Sequence, residues 1–169
     1  LHYMNRNSPW DVRREGAEAH VGWERAKVAG VTLRYSLVDA EFVEGPYKNN
    51  TVPIVPRQQL SLDGRVYVWD EFFVFGGYRY LGDQYSTSDF ANKYEKTDAF
   101  GLFSLGCQYA PEYKYLKGFK FAFTVDNLFD KTYAEAISRG GANVSGYDTT
   151  YRINEPGRTW WLKMQVALD

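Results

Sequence analysis

The chain has few of the residues that build disulfide frameworks, metal centres or acid–base sites. Its 169 residues include one cysteine and two histidines. A single cysteine excludes both an intramolecular disulfide and a multi-cysteine zinc site. Its surroundings, LFSLGCQYA, are strand-like, so we interpret Cys107 as a small apolar residue rather than a nucleophile. No nucleophile stands at motif spacing from a base, so we expect no enzymatic activity and no cofactor.

Long apolar runs and a large net charge are also missing. No stretch approaches the roughly 18 apolar residues of a membrane-spanning helix, and residues 1–20 lack the apolar segment of an intact secretory precursor. The formal net charge of −1 gives no electrostatic reason to expect nucleic acid as a partner. A membrane is still possible, because lipid-facing and lumen-facing side chains alternate along the strands of a β-barrel and give no long apolar run.

Aromatic residues are plentiful, at 18% of the chain, and they accompany an apolar–polar alternation of period two. This alternation predicts strands and no long amphipathic helix. The predicted strands are seven, each about ten residues long, which is the length that a tilted strand needs to cross a bilayer. They cover 14–24, 30–42, 57–68, 72–85, 98–110, 119–127 and 158–168.

The predicted connections alternate in length. The long ones, 43–56, 86–97 and 130–157, are rich in glycine, polar residues and tyrosine, whereas the others are short. Short turns alternating with long loops are typical of an outer-membrane barrel, and small polar residues on the second face suit a hydrated lumen. A soluble β-sandwich or lipocalin-like barrel remains an alternative. Because single-chain bacterial barrels have an even number of strands, we expect either an eighth strand at 1–6 or a larger barrel of which this chain is a part.

Several segments, in order along nearly the whole chain, resemble the C-terminal part of the barrel of TonB-dependent outer-membrane receptors. They are VRREGAEAHVGW at 12–23, LRYSLVDAEF at 33–42, VPIVPRQQLSL at 52–62, TVDNLFDKTY at 124–133 and EPGRTWWLKMQVAL at 155–168. The most specific sign is the pair of blocks on either side of one long loop. These blocks contain Asn127, Leu128, Phe129 and Asp130, and then Pro156, Gly157 and Arg158.

The resemblance implies an all-β fold: an antiparallel up-and-down transmembrane β-barrel segment of about seven strands, part of a 22-stranded barrel that encloses a plug. Residues 1–169 would be a C-terminal portion of this barrel, with the plug absent from this chain. It further implies an outer-membrane location and TonB-driven uptake of a scarce nutrient, for which we expect a ferric siderophore or similar iron chelate. Partners would be lipid, the plug, the remaining strands and, through the full-length protein, the TonB complex.

One departure concerns the chain end. Family members usually end on an aromatic residue, whereas this sequence stops at Asp169. We therefore expect the natural chain to continue by at least one residue. Two other functions remain open: a small structural or adhesive outer-membrane barrel, and a soluble β-sandwich that binds a ligand such as carbohydrate through exposed aromatic residues.

Candidate site residues fall into three groups. Arg34, Arg79 and Lys163 lie on the polar faces and are predicted to face the lumen, because each would cost about 2–4 kcal/mol at the bilayer midplane. Cationic and aromatic groups of loop 130–157 suit an anionic chelate, although they also suit a merely soluble loop. These are Arg139, Tyr147, Tyr151 and Arg152.

The acidic block that follows the sixth strand forms the third group. Asp126, Asn127 and Asp130 carry oxygen ligands, but Leu128 and Phe129 occupy positions that a calcium loop fills with a ligand or glycine. Asn and Asp also bond to their own backbone where a strand ends. We therefore interpret the block as a strand terminus and expect no metal site.

Overall fold

The computed structural model describes residues 10–167 except 88, 114, 117, 136, 141–148 and 153, with the backbone alone for 137–140 and 149–152. All nine of the elements it describes are strands. They are β1 (Val12–Arg25), β2 (Ala29–Phe42), β3 (Gln58–Trp69), β4 (Phe72–Leu81), β5 (Phe100–Tyr109), β6 (Phe119–Asp126), β7 (Ile137–Gly140), β8 (Thr149–Arg152) and β9 (Thr159–Val166). Among the described residues, no helix is long and apolar enough to cross a membrane.

Seven strands form one antiparallel sheet in the order β1-β2-β3-β4-β5-β6-β9. This confirms the predicted all-β, up-and-down fold. The remaining two, β7 and β8, form a separate antiparallel hairpin within the loop predicted at 130–157. The eighth strand predicted at 1–6 and the chain end at Asp169 lie outside the described residues.

The connections alternate by side, so the sheet has a short-turn end and a long-loop end. Residues 26–28, 70–71 and 110–118 form the short turns, whereas 43–57, 82–99 and 127–158 connect the strands at the other end. At the short-turn end, Lys27 Nζ donates to Asp70 Oδ2 at 2.9 Å. This hydrogen bond raises the pKa of the Lys27 ammonium above its ordinary value.

In this register, residues on one face of a strand lie opposite residues on the same face of the next strand. On the apolar face, Val21, Leu33, Leu62, Tyr78 and Phe103 lie opposite one another in a row. The polar face has the parallel row His20, Arg34, Ser61, Arg79 and Leu102. Because side chains in a strand alternate between faces, the period-two pattern of the sequence fixes this segregation.

The apolar face is left uncovered by the described residues. Its side chains include Val21, 63% exposed, and Leu162, 83% exposed. The buried apolar residues instead gather at the long-loop end: Ala40, Phe42, Phe100, Val125 and Ala134. A soluble sandwich buries one face of each sheet against a second sheet, so this arrangement is not that of a sandwich.

Large aromatic side chains mark both ends of the apolar face. Trp23 lies at the short-turn end and is 55% exposed, whereas Trp160 is the second residue of β9, at the long-loop end, and is 60% exposed. Near the short-turn end, the rings of Trp69 and Phe72 stack at 4.6 Å. Amphipathic aromatic rings at two levels, with aliphatic residues between them, suit the two interfaces of a bilayer.

Close packing on the polar face requires glycine at position 106 in β5. A Cβ atom at this position would lie 2.5 Å from Phe75 Cζ and 2.7 Å from the backbone oxygen of Phe123. We expect Gly106→Ala to lower the free energy of unfolding of the intact protein by about 1–3 kcal/mol, because backbone and a large ring would both have to move.

Gly22 in β1 provides a matched control on the same face, because its nearest neighbour to an added Cβ is Thr32 Oγ1 at 3.8 Å. Urea titration in lipid vesicles would compare the two variants. Equal midpoints for Gly106→Ala and Gly22→Ala would contradict the packing argument.

Candidate functional site

Two segments singled out in the sequence, Asn127–Asp130 and Pro156–Arg158, lie next to each other at the long-loop end. We call this region the junction. Asn127 is buried and has a positive φ of 50°, a conformation that asparagine tolerates better than most residues. Its side chain accepts from the Lys131 N–H at 2.9 Å and donates to the Lys131 carbonyl at 2.8 Å. The loop leaves the sheet through this closed ring of hydrogen bonds.

Asp130 joins the first block to the second. Its carboxylate oxygen Oδ1 accepts from the backbone N–H of Arg158 at 2.8 Å. The same oxygen would lie 2.6 Å from a Cβ atom at position 157, so glycine allows this close approach. The carboxylate therefore fixes the start of β9 beside the end of β6.

The two apolar residues of the first block have different environments. The Leu128 N–H donates to the Phe103 carbonyl at 2.8 Å, so the chain remains attached to β5 after β6 ends. Phe129 is 70% exposed and meets the edge of the Phe103 ring, with centroids 5.4 Å apart. Among the described residues, no group of His, Cys, Asp and Glu is placed to hold a metal ion.

Residues 131–135, which we call the strap, turn back against the wall of the sheet. Ala134 is 1% exposed, and the Tyr133 ring packs on Phe100 at 4.6 Å. The side-chain amide of Gln84 donates to the Glu135 backbone carbonyl. Burial raises the pKa of the Tyr133 hydroxyl above its ordinary value, against an opposing effect of the nearby Arg79.

The three predicted lumen charges lie on the polar face by register. Arg34 donates to Asp63 Oδ2 at 2.8 Å, within the sheet. Arg79 forms an ion pair with the strap carboxylate of Glu135, and its guanidinium lies 5.9 Å from the centroid of the Phe100 ring. Lys163 lies in β9 opposite Ala122 of β6, away from the other two.

A cavity of about 460 Å³ lies against the polar face at the long-loop end. Arg79, Tyr133 and Trp161 contribute to its lining, together with Asp63 and Asp126. Both carboxylates are engaged, Asp63 by Arg34 and Asp126 by the indole N–H of Trp161 at 2.9 Å. The lining thus combines a guanidinium with aromatic rings, a chemistry suited to an anionic or aromatic ligand.

The other two long loops are attached to each other and to the strap. The Asn92 side chain accepts from the Thr51 N–H at 2.6 Å and donates to the Thr51 carbonyl at 2.9 Å. Asn50 donates to the Phe90 carbonyl at 2.9 Å. With the link from Gln84 to Glu135, these contacts join 43–57, 82–99 and the strap into one continuous hydrogen-bonded layer.

An ion pair supports the base of the middle loop. Lys96 Nζ lies 2.8 Å from Asp83 Oδ2 and, with its hydrogen bond, lowers the pKa of the Asp83 carboxyl below its ordinary value. The pair therefore contributes stability above the ordinary aspartate range, and this contribution is lost as pH falls through the lowered pKa. Because both side chains are about half exposed, its effect on stability is small.

Three of the four predicted ligand residues lie in the hairpin β7–β8. Tyr151 pairs with Ser138 and Arg152 with Ile137, while Arg139 pairs with Thr150. The backbone therefore brings Arg139 and Arg152 within two register positions of each other. Tyr147 lies outside the described residues.

Sequence reasoning missed the strap and its partners. Tyr133, Ala134 and Glu135 have no strand periodicity, and their contacts to Phe100 of β5 and Gln84 of loop 82–99 join segments that are distant in the sequence. The one signal available was the run KTYAEA after the acidic block, which has a single tyrosine between small and charged residues.

Comparisons with known proteins give one family and several similar structures. The sequence matches the family model described as TonB dependent receptor-like, beta-barrel, over residues 3–128. A search of curated proteins finds no match. The fold resembles the ferric yersiniabactin uptake receptor FyuA from Yersinia pestis, with a TM-score of 0.74 and 19% identity over 92% of this chain and 23% of that one.

Two further structures are similar to the same extent. The siderophore receptor PiuA from Acinetobacter baumannii has a TM-score of 0.72 and 20% identity, covering 92% of this chain and 22% of its own. The copper transporter OprC has a TM-score of 0.72 and 21% identity, covering 94% of this chain and 24% of its own. At such identities the likeness concerns the fold, and this chain spans about a quarter of the length of each neighbour.

Proposed function

This chain belongs to the TonB-dependent receptor β-barrel family, and we propose that residues 1–169 form a C-terminal portion of the barrel of an outer-membrane receptor whose plug domain lies outside this chain. The observation that carries the proposal is the uncovered apolar face, continuous across seven strands, with every long loop at one end. The family and its structural neighbours are transport receptors and not enzymes, which agrees with the non-enzymatic role predicted from the sequence.

The sheet edges support a larger barrel. In the described sheet, β1 and β9 are the two outermost strands and each pairs on one side only. Unpaired backbone groups in lipid cost several kcal/mol each, so a sheet with this apolar face requires a partner strand for each edge. The remaining barrel strands and outer-membrane lipid are thus the proposed partners of the edges and of the apolar face.

The polar face is the proposed site of contact with the plug and with solvent. Arg34, Arg79 and Lys163 then face the lumen, where each avoids the cost of a charge in hydrocarbon. A second cavity on this face, of about 800 Å³, is lined in part by Arg65, Phe73 and Phe75. These side chains offer both polar and aromatic contacts to an enclosed domain.

The proposed activity is TonB-driven uptake of a metal chelate, with an iron chelate of the siderophore type as the expected ligand. FyuA is named as an uptake receptor for ferric yersiniabactin, PiuA as a siderophore receptor and OprC as a copper transporter, so metal-linked nutrients are the class that these names share. Arg139, Tyr147, Tyr151 and Arg152 are the proposed contacts, because the hairpin places three of them at the long-loop end, outside the sheet. Arginine binds carboxylate and other oxyanions through two parallel hydrogen bonds.

Binding of ferric chelates to the purified intact receptor tests this proposal. We expect at least one chelate of an anionic panel to bind, and the double variant Arg139→Gln/Arg152→Gln to weaken it by about tenfold or more, since each lost charge-assisted bond contributes roughly 1.5–3 kcal/mol. Lys48→Gln, in the exposed part of loop 43–57, is the control and should leave the Kd unchanged.

Uptake of the bound chelate by cells, with and without a functional TonB complex, tests the energy source. A receptor that binds no chelate of the panel, or uptake that persists without TonB, would contradict the proposed function.

A further inference from the structure

Arg79 differs from two other polar-face arginines, Arg34 and Arg65, in the nature of its partner. Arg34 pairs with Asp63 of β3, and Arg65 pairs with Glu24 of β1, so both of those ion pairs join one strand of the sheet to another. Arg79 pairs instead with Glu135, which lies on the strap outside the sheet. The Arg79 pair therefore connects the sheet to the strap, whereas the other two pairs connect strands within the sheet.

The ion pair of Arg79 is also open to solvent. The side chain of Arg79 is 52% exposed and that of Glu135 is 44% exposed. Exposed ion pairs contribute little net stability, so an incoming anion can replace Glu135 at small cost. The strap would keep its place after such an exchange, because Ala134 stays buried and Gln84 holds the Glu135 backbone carbonyl rather than its carboxylate.

The surroundings of Arg79 fit an oxyanion attached to a flat, conjugated or aromatic group. Arg79 lines the 460 Å³ cavity together with Tyr133 and the 58% exposed ring of Trp161. The ring of Phe100 lies beneath the guanidinium, with its centroid 5.9 Å from Arg79 Cζ. A planar guanidinium presents two parallel donors, the geometry that a carboxylate or a pair of adjacent phenolate oxygens accepts.

We propose that Arg79 is an oxyanion-binding subsite of the receptor and that Glu135 is the counter-ion which occupies it until an anionic metal chelate takes its place. This inference rests on the proposed function, because it assumes that the intact receptor binds a metal chelate. Specificity for negatively charged chelates would then depend on Arg79 of the barrel wall, beneath the strap, and not on the hairpin β7–β8.

The test is a set of matched variants of the intact receptor, titrated with an anionic chelate such as ferric citrate or a ferric catecholate, and with an uncharged ferric trihydroxamate. We expect Arg79→Gln to weaken binding of the anionic chelate by about tenfold or more. Glu135→Gln is expected to tighten the same binding, because the competing carboxylate is gone. Neither variant should alter the Kd of an uncharged chelate.

The double variant distinguishes competition from general damage to the site. If Glu135 acts only through Arg79, Glu135→Gln has no effect on the Kd in the Arg79→Gln background. Lys120→Gln is the control, since Lys120 is an exposed cation on the same polar face but lies at the short-turn end of β6, away from the cavity that Arg79 lines. A gel shift between heated and unheated samples verifies folding of each variant.

The outcomes separate this inference from the proposed function. A receptor that binds an anionic chelate equally well with Arg79→Gln, or that loses affinity with Glu135→Gln as it does with Arg79→Gln, overturns the inference alone. A receptor that binds no chelate at all overturns the proposed function and this inference with it.

Discussion

Replacing Leu33 with arginine is expected to lower the free energy of unfolding of the intact receptor by about 2–4 kcal/mol, the depth-dependent penalty for arginine on the lipid face of a barrel near the midplane. Leu33 lies on the apolar face of β2, where Val31, Tyr35 and Leu37 share its side and Asp39 is the first charged residue beyond them. Leu33 is therefore near the middle of the apolar stretch of its strand, far from either polar boundary.

Thr32→Arg is the matched control for this prediction. Thr32 is the neighbouring residue, faces the opposite side and pairs with Asp63, so a guanidinium there meets water and a carboxylate. We expect a change within about 0.5 kcal/mol, as for most surface substitutions. Leu33→Ala separates loss of side-chain packing from the cost of the charge.

Urea titration of the receptor in lipid vesicles, followed by the gel shift of the folded barrel, measures all three variants. Leu33→Arg and Thr32→Arg with equal free energies of unfolding would mean that both faces of β2 contact water, which would contradict the membrane-spanning barrel.

The strands were predictable from the sequence because the alternation that identifies a strand lies within the strand itself. A period of two over about ten residues identifies a strand and its faces without knowledge of its partners, and antiparallel order then follows from the connections. The predicted end of the fourth strand at 85 is wrong: β4 ends at Leu81. Gln84 instead pairs with Thr97 inside the loop, a non-local bridge that the alternation does not reveal.

The candidate site was predictable only in part, because its contacts are formed between distant segments. Asp130 was correctly interpreted as a residue of a strand terminus, but its bond to the Arg158 N–H depends on the return of the chain after the whole loop. The Arg79–Glu135 pair has a sequence separation of 56 residues and joins a regular strand to an irregular strap. Periodicity identified the face of Arg79 and could not identify its partner.

Asn127→Ala is the second substitution for which we expect a large effect, about 2–4 kcal/mol in free energy of unfolding. Two separate causes contribute. Asn127 is buried and its side chain makes both hydrogen bonds to the Lys131 backbone, so removal of the side chain leaves partly buried groups unpaired at a cost of about 1–3 kcal/mol. Alanine at a φ of 50° adds about 1–2 kcal/mol of backbone strain.

A second variant separates these causes. Asn127→Gly also removes both hydrogen bonds but accepts a positive φ without strain, so it should retain about 1 kcal/mol more stability than Asn127→Ala. Asn127→Asp keeps the acceptor for the Lys131 N–H but turns a carboxylate oxygen towards the Lys131 carbonyl, and it should fall close to the glycine variant.

Urea titration measures the stabilities, and hydrogen exchange of the Lys131 amide reports the junction directly. The Lys131 amide could exchange faster in all three variants, with rates that simply follow their free energies of unfolding. That result would mean that Lys131 exchanges through global unfolding. Exchange that accelerates in the alanine and glycine variants but not in the aspartate variant would show local opening of the ring of hydrogen bonds. Unchanged stability in Asn127→Ala would contradict both causes, because the acidic block would then neither end the strand nor hold the loop that follows it.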